Sequence, residues 1–458
     1  MPRGVAESLR DVGATDLVVA LFFAAVLWLP PLAGHDAYEV ALAILVAYAA
    51  FVAVRERRFP PVPIALVAYA AVYAAATIHG TGIDAIGLGS LKHGYFVRPL
   101  TAIAVATIAT MPLQRLRVLA MVVLFGLTQV AVTAVQAGEN VVHYGRHATD
   151  TASVDAVTGS LAWPGSPHQS STVTMVALIA AMVLASAWLW GALPGRVAVV
   201  LAAGLLAVGA FSSTRASPVF ALLVAGAIAA AALALRQDRA AVSRILTFGL
   251  ASVVAAGGIV AVTLALYSGA YKGIAKENQG TQSVAVTKTG GPAARKAHRV
   301  RTFSGASLRP GRVVQLRLAV RLSLHSGLGI GLLGRGPGSS DIGNERYAYA
   351  QQVPLAKRTG TTWVGKVLTE TGWLGLAAFV GLLVWLVVWG IKLCRAAPKQ
   401  DRVLGLVLVG LAALTGATAA YGTFPTIAGY AVLFWPLVGL GISAERDRRR
   451  RVAAPAPV

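Results

Sequence analysis

Four segments carry the residues that could do chemistry. Arg215 stands in Phe211-Ser-Ser-Thr-Arg-Ala-Ser217, a turn of small residues between two apolar runs. Arg312, Arg317 and Arg321 recur four or five apart in the stretch RVVQLRLAVRLSLH, residues 312–325. A guanidinium fork matches phosphate oxygens bidentately and keeps its charge at low dielectric, so both segments could bind a phosphate-bearing group. For Arg215 the plainer alternative is an arginine snorkelling from a helix end. In Gly331-Leu-Leu-Gly-Arg-Gly-Pro-Gly338, Gly336 and Gly338 could let the backbone approach an anion closely, or form an ordinary turn. No Gly-Lys-Ser/Thr follows, so this is not an ATP-type phosphate loop. The fourth segment is Thr361-Thr-Trp-Val-Gly-Lys-Val-Leu-Thr-Glu-Thr-Gly-Trp-Leu-Gly375. Its Glu370, together with His325 and His168, is a candidate acid or base. His143, His147 and His168 are too scattered for a metal site, and the lone Cys394 excludes an internal disulfide or a four-cysteine zinc site. Asp150 and Asp155 are not spaced as a paired-carboxylate signature. Neither a metal nor a cofactor is expected.

The elements that must position these residues are apolar. Of 458 residues, 56% are hydrophobic and 13% charged, and the mean hydropathy is +0.68. A soluble domain is roughly 45–50% apolar and about 25% charged. That excludes a soluble enzyme, a disordered tail and a disulfide scaffold. An all-α fold is expected: a polytopic membrane helical bundle. A helix needs about 20 mostly apolar residues to cross the hydrocarbon core. The runs that qualify number about twelve, at 16–33, 38–54, 62–77, 98–111, 118–135, 171–193, 197–211, 218–235, 245–267, 373–393, 403–419 and 427–443. The first lacks a small-x-small cleavage site and is expected to be retained as a helix.

Charge sets the expected orientation. With the N-terminus inside, Arg55, Arg57, Arg58, Arg115, Arg117, Arg236, Arg239, Arg244, Lys392, Arg395 and Arg448–Arg451 all fall on the inner side. The short outer segments keep only Lys92, Arg98, Arg146 and Arg215. Basic residues concentrate in short cytoplasmic segments, so both termini are placed in the cytoplasm. The Arg448–Arg451 tail then faces an anionic leaflet, and no nucleic-acid partner is expected.

The expected organisation is a membrane domain over 1–269 with about nine spans, a large external basic loop over 270–362, C-terminal membrane helices over 363–443 and a basic tail over 444–458. The loop has only Glu277, Asp341 and Glu345 against many Lys and Arg. Long loops translocate largely regardless of charge, and a basic outer loop attracts anionic lipid or phosphate groups. Residues 272–310 read as loop. Residues 312–325 read as a basic amphipathic helix at the outer membrane face, with Val313, Leu316, Val320 and Leu324 at helical spacing.

These segments together resemble the O-antigen ligase/polymerase superfamily, integral membrane glycosyltransferases that act on polyprenyl-diphosphate-linked glycans. The topology resembles that family over most of the chain. The motifs lie in residues 159–172 and 211–376. In the family, a Ser/Thr-Arg-Gly/Ala-Ser turn carries an arginine implicated in binding the donor diphosphate, and Arg215 matches it. An arginine-led helix precedes a glycine-rich turn, and Arg312 matches the second essential arginine, with Arg317 and Arg321 as rivals. The proline expected before the turn is absent. Gly159-Ser-Leu-Ala-Trp-Pro-Gly-Ser-Pro-His-Gln169 is a weaker echo of a further family turn.

The fourth segment matches the family at Glu370, Thr371, Gly372 and Gly375, but Thr361 stands at the histidine position and Thr362 at the amide or serine position. A threonine has no accessible pKa near neutrality and cannot replace a histidine as a general base. Three readings stay open. His325, His168 or Glu370 supplies the base; or arginines stabilising the leaving diphosphate do most of the work; or the chain is a non-catalytic member.

The resemblance implies a glycosyltransferase of the bacterial cytoplasmic membrane. It would move a glycan from a polyprenyl diphosphate to a glycan or lipid acceptor at the outer face, in surface or exopolysaccharide biosynthesis. Its catalytic residues would be Arg215 and Arg312, and its other partners membrane lipids. The rival from another class is a polysaccharide or lipid-glycan transporter or flippase. Against it, the two halves show no repeat, and the longest loop is neither cytoplasmic nor central.

Overall fold

The computed structural model describes residues 13–28, 30–57, 59–60, 62–80, 97–144, 157, 159–161, 170–212, 214, 216–235, 239–284, 312–340, 362–396, 398–422 and 428–453. Among these, every regular element is helical. In chain order they are α1 (Ala14–Leu27), α2 (Pro30–Glu56), α3 (Ile64–His79), α4 (Val97–Ile108), α5 (Pro112–Tyr144), α6 (Ser170–Leu189), α7 (Gly195–Phe211), α8 (Ser217–Leu235), α9 (Arg239–Val284), α10 (Arg312–His325), α11 (Leu328–Leu333), α12 (Trp363–Ala396), α13 (Lys399–Ala419) and α14 (Ala428–Ala453). A single 3-10 turn, Gly159–Leu161, lies between α5 and α6.

Six of these helices are long and apolar enough to cross a membrane: Pro112–Glu139, Ser171–Leu189, Ser217–Leu235, Val242–Ser268, Trp363–Arg395 and Asp401–Ala419. Ala14–Leu27, Ile64–His79, Pro99–Ile108 and Gly195–Phe211 are shorter apolar helices. This is a multi-pass helical membrane protein. In lipid, every backbone polar group must be satisfied internally, which helices do alone.

Layering follows from which faces are apolar. α6 is apolar all round, with 89% of its window buried, and packs among α5, α7, α13 and α14. α9 is peripheral: only 17% of its window is buried, and Leu246, Leu250 and Val254 face outward. Small residues let neighbours close in. A Cβ on Gly390 of α12 would lie 2.5 Å from the Gly405 carbonyl oxygen of α13. Prolines mark helix starts, where a missing N–H costs nothing. The carbonyls of Pro63 and Pro398 accept from the amides of Leu66 and Asp401 at 2.9 and 3.0 Å.

One expectation needs correction. The apolar run ends near Tyr267, but α9 continues past it to Val284, so residues 272–284 are helix where loop was expected. The helix over 312–325 is present, with part of its apolar side turned outward. Val313 and Leu324 are 65% and 64% exposed, while Gln315, Ala319 and Ser323 are buried against the body. Small side chains allow close packing on α12, and in a membrane protein the apolar face can turn to lipid instead of the core.

Candidate functional site

The site is built on a broken helix. Thr362 caps α12, its Oγ1 accepting the Gly365 amide at 3.1 Å. The helix is interrupted at Gly372, whose φ of 65° and ψ of −162° suit glycine almost alone. Residues 334–340 sit across the interruption. The Arg335 amide donates to the Thr369 carbonyl at 3.0 Å, and the Gly336 amide to the Glu370 carbonyl at 2.9 Å. A Cβ on Gly334 would lie 2.4 Å from the Thr371 nitrogen, and one on Gly372 would lie 2.4 Å from the Leu332 oxygen. The two backbones interlock with no room for a side chain on either. Non-helical backbone at such a place is tolerated where protein satisfies it.

Glu370 lies inside this joint and is fully buried. Ser340 Oγ donates to its Oε1 at 2.6 Å, and Lys366 Nζ stands 3.7 Å from the same oxygen. Glu370 therefore has the surroundings of a structural clamp. Gly336 and Gly338 are buried in the turn, with φ of 92° and 87°. The Gly336 N–H is engaged by Glu370, so it is not a free donor for an anion.

Beside the joint lies an open depression of about 530 Å³ lined by Arg321, Leu322, His325, Ser326, Ile330 and Arg335. The turn delivers Arg335 to it, and Arg335 Nη2 donates to Ser326 Oγ at 2.8 Å. Partial burial lowers the Arg335 guanidinium from its ordinary value; a desolvated cation gains most from an anionic partner. His325 Nδ1 lies 2.8 Å from the Arg321 carbonyl oxygen of its own helix. Arg317 is exposed on the outer face of α10 with Val313 and Leu324. Arg312 opens α10, but its side chain lies outside the described residues.

The structure thus brings Arg321 and His325 together and adds Arg335, which sequence reasoning passed over as the variable residue between two glycines. The α3 end abuts the same turn: His79 ring atoms lie 3.2 Å from where Gly329 would carry a Cβ.

Arg215, Thr361 and His168 lie outside the described residues. The flanks of Arg215 are fixed by hydroxyls. Thr174 Oγ1 on α6 lies 2.5 Å from Ser212 Oγ and 2.9 Å from Thr214 Oγ1, and Tyr267 donates its hydroxyl to the Phe211 carbonyl at 2.5 Å. The Gly159 segment is held by amide side chains of α5. Gln136 pairs with the Gly159 amide and carbonyl at 2.7 and 3.1 Å, and Gln129 Nε2 donates to Ser160 Oγ at 2.8 Å.

The opposite end carries a buried ion network. Arg115, at the start of α5, gives Nε and Nη2 to the two Asp401 oxygens at 2.9 and 3.0 Å and Nη1 to Asp447 at 2.8 Å. Arg117 pairs with Asp16 of α1 at 2.6 Å. At the tail of α14, burial alone would raise the Glu445 carboxyl. Hydrogen bonds and charge from Arg448 and Arg449 outweigh it and hold the group below its ordinary value.

Among the described residues no group of three or more His, Cys, Asp or Glu could hold a metal ion. Compared with protein-family models and with curated proteins, the chain matches none.

Proposed function

We propose that this is a membrane glycosyltransferase of the O-antigen ligase/polymerase kind. It takes a glycan from a polyprenyl diphosphate and gives it to an acceptor hydroxyl at the outer face. The observation that carries the reading is the open depression where Arg321 and Arg335 converge beside the interlocked turn. Two guanidinia at one rim suit a diphosphate, and they would stabilise the charge it gains on leaving. Arg215 and Arg312, on the motif resemblance, complete the anion site. The chain crosses the cytoplasmic membrane about twelve times with both ends inside. In support, the ends of α1, α5, α13 and α14 that bear Asp16, Arg115, Asp401 and Asp447 share one ionic end. The α12 start pairs with Gly422, beyond α13, through the Trp363 amide at 2.9 Å.

The test is farnesyl diphosphate binding to the full chain in lipid nanodiscs. Arg321→Ala and Arg335→Ala each weaken it at least about tenfold, the scale of one charge-assisted contact at 1.4 kcal/mol or more. Arg317→Ala, outside the depression, changes it little. Unchanged affinity in both variants overturns the reading.

One observation favours a lipid-glycan transporter instead: α12 is broken at Gly372 beside the buried pair Lys366–Glu370, and transporters site their substrates at broken helices. Covalent attachment of donor glycan to an acceptor separates the two, since a transporter moves the donor unchanged.

A further inference from the structure

We propose that His325 is the general base that takes the acceptor's hydroxyl proton, acting through Nε2; this rests on the transferase reading above. The argument begins with a carbonyl. His325 Nδ1 lies 2.8 Å from the Arg321 oxygen, and a carbonyl only accepts. Nδ1 must therefore carry the hydrogen, which leaves the lone pair of the neutral ring on Nε2. Bonding one ring nitrogen to a backbone oxygen is how a protein selects the tautomer. The ring is exposed at the end of α10 and lines the same depression as the two guanidinia. A base must stand next to the leaving group's site, on an open path for the acceptor, and His325 meets both conditions.

The charged and titratable groups nearest it are Arg321 on its own helix and Arg335 from the turn; His79 of α3 lies against Gly329 of the next helix. On α12, Lys366 and Glu370 are paired with each other inside the joint. Glu370 is fully buried and holds the Ser340 hydroxyl, so it is poorly placed to meet an acceptor.

The step balances as follows. The acceptor oxygen forms a bond to the anomeric carbon while the carbon–oxygen bond to the diphosphate breaks. The bonding pair leaves with the diphosphate. The hydroxyl proton passes to Nε2, and the resulting imidazolium releases it to water.

The experiment uses the full chain and the variants His325→Asn, His79→Asn and Arg321→Ala. The Asn amide can still donate to the Arg321 carbonyl, so the first variant removes the base and keeps the bond. In nanodiscs, diethyl pyrocarbonate modifies His325, and bound farnesyl diphosphate slows this at least about tenfold. In cells deleted for the chain, attached surface glycan is read on gels. His325→Asn falls by about 10² or more, the scale of a lost general base. It leaves farnesyl diphosphate affinity within about twofold. His79→Asn keeps activity. If farnesyl diphosphate binds but does not shield His325, or if His325→Asn retains the wild-type rate, the base assignment is overturned. If wild type neither binds the diphosphate nor restores glycan, the transferase reading fails and takes the assignment with it. Loss in Arg321→Ala with retention in His325→Asn removes the base assignment alone.

Discussion

The Gly336 amide donates to the Glu370 carbonyl across 2.9 Å, so a turn from one segment supplies the hydrogen bond that α12 forgoes where it breaks two residues later. The joint sets the position of Arg335, and through it the shape of the depression that Arg321 and Arg335 line.

Gly372→Ala is expected to be strongly destabilising. Its backbone conformation costs a non-glycine residue about 1–3 kcal/mol, and the new Cβ would meet the Leu332 carbonyl at 2.4–2.5 Å. Gly381→Ala, on the same helix with nothing within 4 Å, is neutral or stabilising. Thermal unfolding in detergent compares them; equal midpoints for the two variants would refute the interlock.

Thr362→Ala removes the cap on the Gly365 amide. The loss is about 1 kcal/mol, and Thr362→Ser restores most of it. A Thr362→Ser midpoint as low as that of Thr362→Ala would show that the hydroxyl does not cap the helix.

Arg115→Met leaves Asp401, 1% exposed, with a buried charge and no bidentate partner. Breaking a buried pair from one side costs about 3–5 kcal/mol. The double variant Arg115→Met with Asp401→Leu recovers much of that loss. A double-mutant cycle with no coupling between the sites would show that the network contributes nothing.

The α14 tail carries an acid-sensitive contact. The Glu445 carboxyl is depressed in the folded protein, so its contribution is complete above the unfolded-state value, about 4.3 for a free glutamate. It is lost as pH falls through the lower folded value. Amide protection over residues 440–453, taken relative to the intrinsic exchange rate at each pH, should fall in acid for wild type, and Glu445→Gln should be poorly protected at every pH. A wild-type tail with the same protection at low and neutral pH would contradict this.

Much of the fold was legible. The apolar runs correspond to helices, and the helix over Arg312–His325 has the ends its sequence pattern implies. What packs beneath it was not legible, because periodicity does not say which neighbour covers a face: Gln315, Ala319 and Ser323 are buried, whereas Val313 and Leu324 look outward. The site was legible in part. Arg321 and His325 stood out by type and spacing. Arg335 did not, because its importance comes from a turn seated in a helix break far along the chain. Pairings such as Arg115 with Asp401, separated by 286 positions, leave no trace in local pattern. Of the two readings the turn glycines allow, close approach to an anion or an ordinary turn, the Gly336 N–H fits the second, since it serves the helix. A signal was present: Gly372 repeats, within a helical run, the conformational licence of the turn it receives.

The Arg115 network also orders events during synthesis. Arg115 leaves the ribosome 286 residues ahead of Asp401, and Asp447 follows later still. Until they arrive, α5 holds a cation with neither of these counter-charges at the end of the nascent bundle. The last two long helices thus act as a late latch on a helix inserted early, and a chain interrupted before α13 would remain unlatched and open to proteolysis.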